Sequence, residues 1–170
     1  MGREPGDTYE TGVSDDDALF AAIYPGLRRW AAVCGPAEVD PDDLVQEAVA
    51  RTLRSHALSE LDDAGAYLRR AIVNLAANQR RGMARWRGAV SRLARSAEAA
   101  TTTPSYASDL ADLLRLAPDA RAVLWLVEVE DNTYASAGAV LGITEEAART
   151  RAARARQQLK LHLLKEEKEQ

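Results

Sequence analysis

The chain has 170 residues, of which 46% are hydrophobic and 28% charged, and its formal net charge is −4. That balance excludes a disordered chain, and the length allows one ordinary domain or two small ones. No apolar run reaches the roughly 18 to 20 residues that span a bilayer, and the start MGREPGDTYETGVSDDD lacks the basic and apolar parts of a secretory signal. No membrane insertion and a cytoplasmic location are therefore expected.

The elements read as helices from end to end, with Ala, Leu, Arg and Glu dominant and no strand-like alternation. Residues 1–14 are expected to form a disordered acidic tail. Residues 1–17 carry a net charge of −5, which suits the tail to shield basic surfaces elsewhere in the chain. A first helix is predicted from Asp16 to about Cys34, with Leu19, Phe20, Ile23, Leu27 and Trp30 on one face and a kink at Pro25 and Gly26. Asp40 can cap a second helix, with Pro41 at its first position and Asp42 and Asp43 in its first turn. Leu44, Val45, Ala48, Val49 and Leu53 are expected to point inward from it. A third helix is predicted from near Asp63, interrupted at Gly82 and Gly88. Residues 96–108, SAEAATTTPSYAS, read as a flexible linker. Four shorter helices follow, near 109–116, 118–130, 133–141 and 145–164.

Cys34 is the only cysteine, so an internal disulfide is excluded, and a metal site built on Cys34, His56 and His162 is not expected. Cys34 reads as a small semi-buried residue, His56 as a surface or cap residue, and His162 as a group near a helix end. No glycine-rich phosphate loop and no Ser/His/Asp arrangement occurs, so neither an enzyme nor a cofactor is expected.

Charge is strongly segregated. Residues 64–97 hold eight arginines and no acid, and residues 147–165 hold four arginines, two lysines and no acid. The remainder has 8 basic and 26 acidic residues, a balance of −18. Two basic surfaces on an acidic body attract polyanions; the plainer alternative is two solvated helix faces, which usually mix both signs.

The second basic tract has a helix-turn-helix plan. Gly142 can stop one helix in the left-handed conformation, Ile143 can plug the core, and Thr144 can cap the next helix. In that helix Ala148, Ala152, Ala155 and Leu159 form a narrow apolar stripe. Arg149, Arg156 and Lys160 flank it on one side, and Arg151 and Arg154 on the other. Such a helix suits a major groove, although an ordinary helical hairpin has the same pattern.

Three segments together resemble the bacterial RNA polymerase sigma factors, in their minimal two-domain, extracytoplasmic-function group. DPDDLVQEAVARTL (40–53) resembles the family's polymerase-binding helix, and the resemblance gives that role to Asp43, Leu44, Gln46 and Glu47. AYLRRAIVNLAANQRR (66–81) is similar to the promoter-melting segment, with Tyr67, Leu68, Asn74, Asn78 and Arg81 in the motif places. Residues 116–159 resemble the C-terminal helix-turn-helix domain.

The resemblance implies an all-α fold of two small helical domains joined by a flexible linker. Residues 15–95 would bind core polymerase and recognise and melt the minus-10 element, and residues 109–165 would read the minus-35 element. On the N-terminal side Tyr67, Arg70, Asn74, Asn78, Arg80, Arg81 and Arg85 would meet DNA, and Arg69 and Arg87 could also neutralise phosphates. Asparagine amides can read the edge of an unstacked base, and a carboxylate among these arginines would repel the strand. On the C-terminal side Arg149, Thr150, Arg151 and Arg154 match the DNA-reading places. The implied partners are RNA polymerase core, promoter DNA and an anti-sigma protein. A stand-alone helix-turn-helix regulator, or a sigma-like scaffold that binds partners without using polymerase, also fits the pattern. Some residues depart from the family. Ala137 and Gly138 stand where Ile-Ala is usual, Ala148 where Val is usual, and Tyr67 where Trp is more frequent. A weakened C-terminal core is expected, with Gly138 costing about 1 kcal/mol against Ala.

Overall fold

A computed structural model describes residues 15–94 and 113–169, with side chains described as far as 87 and 161 in the two segments. The predicted tail (1–14) and linker (96–108), and the start of the predicted 109–116 helix, lie outside the described residues. The elements are α1 (Asp15–Cys34), α2 (Pro41–Thr52), a 3-10 turn (Leu58–Glu60), α3 (Ala64–Ala94), α4 (Pro118–Glu128), α5 (Tyr134–Leu141) and α6 (Glu145–Glu169). Among the described residues there is no strand, and no helix is long and apolar enough to cross a membrane.

Local chemistry sets most of the boundaries. Asp40 caps α2 by accepting the Asp42 N–H at 2.8 Å, and Pro41 takes the first helical position, where its missing N–H costs nothing. Thr133 caps α5 through the Ser136 N–H at 3.1 Å, and Thr144 accepts the Ala147 N–H at 3.2 Å at the start of α6. Gly142 closes α5 in the left-handed conformation (φ 68°, ψ 36°), where glycine carries no Cβ penalty.

Several expectations need correction. α3 runs through both Gly82 and Gly88 without the expected interruption. A glycine costs about 1 kcal/mol in a helix interior, too little to break a cooperative helix of this length anchored by an apolar face. Leu53 is 50% exposed. α2 ends one residue earlier, and Thr52 takes the inward place, its hydroxyl donating to the Ala48 carbonyl at 2.9 Å. Cys34 is fully buried, and burial pushes its thiol up to about 12, against the opposing influence of Arg121 and Arg69.

Gly138 reverses its expected role. A Cβ there would lie 2.7 Å from the Ile143 carbonyl oxygen and 3.3 Å from the Thr144 carbonyl. The turn backbone crosses α5 at this point, and the Ile143 N–H donates to the Gly138 carbonyl at 2.9 Å. The glycine is a condition of the turn rather than a weakness in the helix.

The first three helices surround Leu27, Trp30, Ala31, Leu44, Val45, Leu68 and Ile72, and the last three surround Val123, Leu126, Ala137, Ala148, Ala152 and Ala155. Ala148, Ala152 and Ala155 of the α6 stripe are buried as their spacing predicts, and Leu159 is partly buried. The small residues at 137, 148, 152 and 155 let the helices approach closely, so the C-terminal core closes around them. The two groups are not separate bodies: their buried residues form one continuous cluster. Arg121 of α4, 1% exposed, donates to the Cys34 carbonyl at the end of α1 at 2.9 Å. Arg69 of α3 lies over the Trp30 ring, 5.3 Å from its centre, and also pairs with Glu130 after α4 at 2.8 Å.

Candidate nucleic-acid interface

Helical geometry divides α3 cleanly. Arg70, Asn74, Asn78, Arg81 and Arg85 are separated by 4, 4, 3 and 4 residues and share one exposed face. Leu68, Ile72, Leu75 and Ala76 occupy the opposite, buried face. The outer face therefore displays guanidinium groups at both ends and two amides between them, with no carboxylate on the helix. Asn78 accepts a hydrogen bond from Arg81, which orients that guanidinium along the helix. Tyr67 is half-buried, its ring 6.2 Å from His56.

The residues assigned to minus-10 contact are not all equally placed. Arg80 is turned away from the exposed face: it donates to the Leu116 carbonyl at 2.5 Å and the Arg115 carbonyl at 2.8 Å. In this arrangement it ties α3 to the entry of α4, and its guanidinium is engaged there. Trp86 was missed. It is 71% exposed between Arg85 and Arg87, and the signal in the sequence was the tripeptide RWR. An exposed indole flanked by cations is a stacking platform for an unpaired base.

In the helix-turn-helix, Arg149, Thr150 and Arg154 are exposed on α6. Arg149 pairs with Glu145 one turn earlier and lies over the Tyr134 ring at 5.5 Å. Arg151 is partly buried, 3.4 Å from Asp119 at the start of α4. Arg156 pairs with Glu128 and the Tyr134 hydroxyl, and these contacts raise its pKa. Exposed itself, it links α6 to the end of α4 and to Tyr134 of α5.

The residues assigned to polymerase binding divide in the same way. Asp43 and Gln46 are exposed, and Glu47 is half-exposed and paired with Arg51 at 2.6 Å. Leu44 is fully buried against α1, beneath Gly35, and supports the helix from inside. Asp42 is engaged by the Tyr24 hydroxyl at 2.6 Å and by Arg28 at 2.9 Å, which fixes α2 on α1 and presents the Asp43–Gln46 edge outward.

Between α3 and the helix-turn-helix lies a cleft of about 720 Å³, lined by Arg70, Asn74 and Arg81 on one side and by Gly142, Arg151 and Gln158 on the other. One arginine of the second basic tract, Arg151, thus faces the arginines of α3 across it.

Fold and sites define an all-α protein with a helix-turn-helix at its C-terminal end. Residues 113–159 match the family model described as Sigma-70, region 4. The overall fold is similar to the sigma factor RpoE of Bartonella quintana, solved in complex with the anti-sigma factor NepR. The TM-score is 0.58 at 19% identity, over 88% of this chain and 96% of that one. No curated protein matches the chain. The resemblance to sigma factors holds on both counts, in the C-terminal sequence and in the fold.

Proposed function

We propose that this protein is a promoter-specificity subunit of bacterial RNA polymerase, of the minimal two-domain sigma type. The observation that carries this is the division of α3 into a buried apolar face and an exposed carboxylate-free face of Arg70, Asn74, Asn78, Arg81 and Arg85, in a chain whose residues 113–159 match the Sigma-70, region 4 family model. In this reading the polymerase carries out the bond-making chemistry. The exposed Asp43–Gln46 edge of α2 docks on core polymerase, where an acidic and polar patch complements a basic one. The α3 face holds one strand of the opened minus-10 element, its arginines neutralising phosphates and its asparagines reading base edges. Arg149, Thr150 and Arg154 of α6 meet the minus-35 element in the major groove. The complex named for the structural relative makes an anti-sigma protein a reasonable third partner.

The docking step is tested by charge reversal at the open edge. Asp43→Lys with Gln46→Ala should weaken binding to core polymerase about tenfold or more, while stability falls only by the roughly 0.3 to 1 kcal/mol that losing an acid from the first turn of α2 costs. Equal binding by the double variant and the wild type in a pull-down titration would remove α2 from the interface.

A further inference from the structure

We infer that the cleft between α3 and the helix-turn-helix is a binding site for a free nucleotide carrying two or more phosphates. The site stands on the geometry of the cleft; its consequence, competition with DNA, rests on the reading of α3 as the strand-holding element.

The lining divides as a nucleotide does. Its floor is apolar: Val73, Pro118 and Leu141 are buried, and Ala77 and Ile143 are partly buried. Such a floor accepts the flat face of a base. Its rim is cationic. Arg70, Arg80, Arg81, Arg115 and Arg151 line it against one carboxylate, Asp119. Arg70, Arg81 and Arg115 are exposed, and Arg151 is only loosely paired, 3.4 Å from Asp119. A guanidinium fork matches phosphate oxygens in pairs, and a phosphate chain brings several negative charges to one place. The amides of Asn74 and Gln158, on opposite walls, supply donors and acceptors for a base or ribose. Ala117, the N-cap of α4, also lines the cleft and makes no side-chain bond to the first turn, so the positive end of that helix adds to the same field.

Size and shape favour a small molecule over a strand. The volume, about 720 Å³, lies within the roughly 300 to 1,000 Å³ of small-molecule sites. Arginine side chains bridge the walls at two places. Arg70 meets Gly142, whose Cβ would lie 2.6 Å from its Nη1, and Arg80 donates to the Leu116 and Arg115 carbonyls. The bridging residues are ten apart in α3, about 15 Å of helix. That leaves room for one nucleotide, whereas a continuous strand would have to pass both bridges. A bound nucleotide uses Asn74 and Arg81, which the strand also needs, so its occupancy sets how much of the α3 face is open to DNA.

Titration calorimetry of the full chain, with no DNA and no polymerase present, tests the site. ATP and GTP are the probes, and inorganic tripolyphosphate, adenosine and a trideoxynucleotide without terminal phosphates are the comparison compounds. At least one of the two nucleotides should bind at a single site, about tenfold or more tightly than any comparison compound. Arg81→Ala and Gln158→Ala, at exposed positions on opposite walls, should each weaken it about fivefold or more. No saturable binding below about 1 mM overturns the site. Tripolyphosphate binding as tightly as the nucleotides overturns it as well, leaving a general polyanion surface only. A trideoxynucleotide binding as tightly overturns the preference for a free nucleotide. Weakening by Arg81→Ala but not by Gln158→Ala places the ligand on α3 alone and overturns the cleft. None of these results touches the proposed function, which strand opening with Asn74→Ala in the polymerase complex tests separately.

Discussion

Gly138→Ala is expected to destabilise the protein by about 2 kcal/mol. The new methyl meets the Ile143 carbonyl oxygen at 2.7 Å, and that oxygen belongs to a turn backbone with no rotamer to change. Forcing an extra methyl into packed structure costs about 1 to 3 kcal/mol, and this contact belongs at or above the upper end. Ala gains about 1 kcal/mol over Gly in helix propensity, which leaves a net loss. In a chain of this size, the loss corresponds to a fall in melting temperature of about 4 to 8 °C. Gly82→Ala is the matched control. It is also a glycine inside a helix, but a Cβ there finds nothing within 4 Å, so the propensity gain stands alone and stability should rise by up to about 1 kcal/mol. Thermal melts of the two variants should move in opposite directions. A gain in stability from Gly138→Ala would mean that the turn does not approach α5 as described.

The second large effect concerns strand opening. Asn74→Ala and Arg81→Ala should each reduce promoter melting about tenfold with core binding essentially unchanged, because both residues lie on α3 while the docking edge is on α2. The two variants are distinguished by salt. Removing one phosphate contact to a single strand makes the log–log salt dependence shallower by about 0.7, so Arg81→Ala should flatten the slope. Asn74→Ala removes an uncharged base contact and should leave the slope alone while changing the preference among bases. Permanganate reactivity of unpaired thymines, followed across a salt series, measures both. Unchanged melting in both variants would contradict the assignment of this face.

Much of this fold was legible in the sequence where the cause was local. Asp40 with Pro41, Thr144, and Gly142 are positions at which a side chain or a left-handed backbone meets unpaired groups at a helix end, and each was found where its neighbours placed it. The α6 stripe was legible because spacings of 4, 3 and 4 leave one face available to alanine. The charge-free-of-acid tract correctly marked α3, and its period separated Asn74 and Asn78 from the core.

What could not be read depended on distant chain. Leu44 and Asp43 are adjacent in one motif, and only the position of α1 decides that the first is buried and the second exposed. Gly138 looked like a helix defect because the turn backbone it admits was not visible. Arg80 was one arginine among eight, and its partners are main-chain carbonyls 35 and 36 residues away, which carry no sequence signature. Arg121 stood in an ordinary helical stretch, and nothing nearby announced that Cys34 would supply its acceptor. Above all, segregation of charge marks two basic tracts, but not that Arg151 of the second lines one cleft with Arg70 and Arg81 of the first.

The most direct measurement is transcription from a pool of genomic fragments by core polymerase, with and without the purified chain, and with the 5′ ends of the transcripts mapped. A promoter-specificity subunit should create recurrent start sites that core polymerase alone does not use, preceded at constant spacing by two shared sequence elements. Start sites identical to those of core alone, from a chain that binds duplex DNA unaided, would contradict the account and leave a stand-alone DNA-binding regulator in its place.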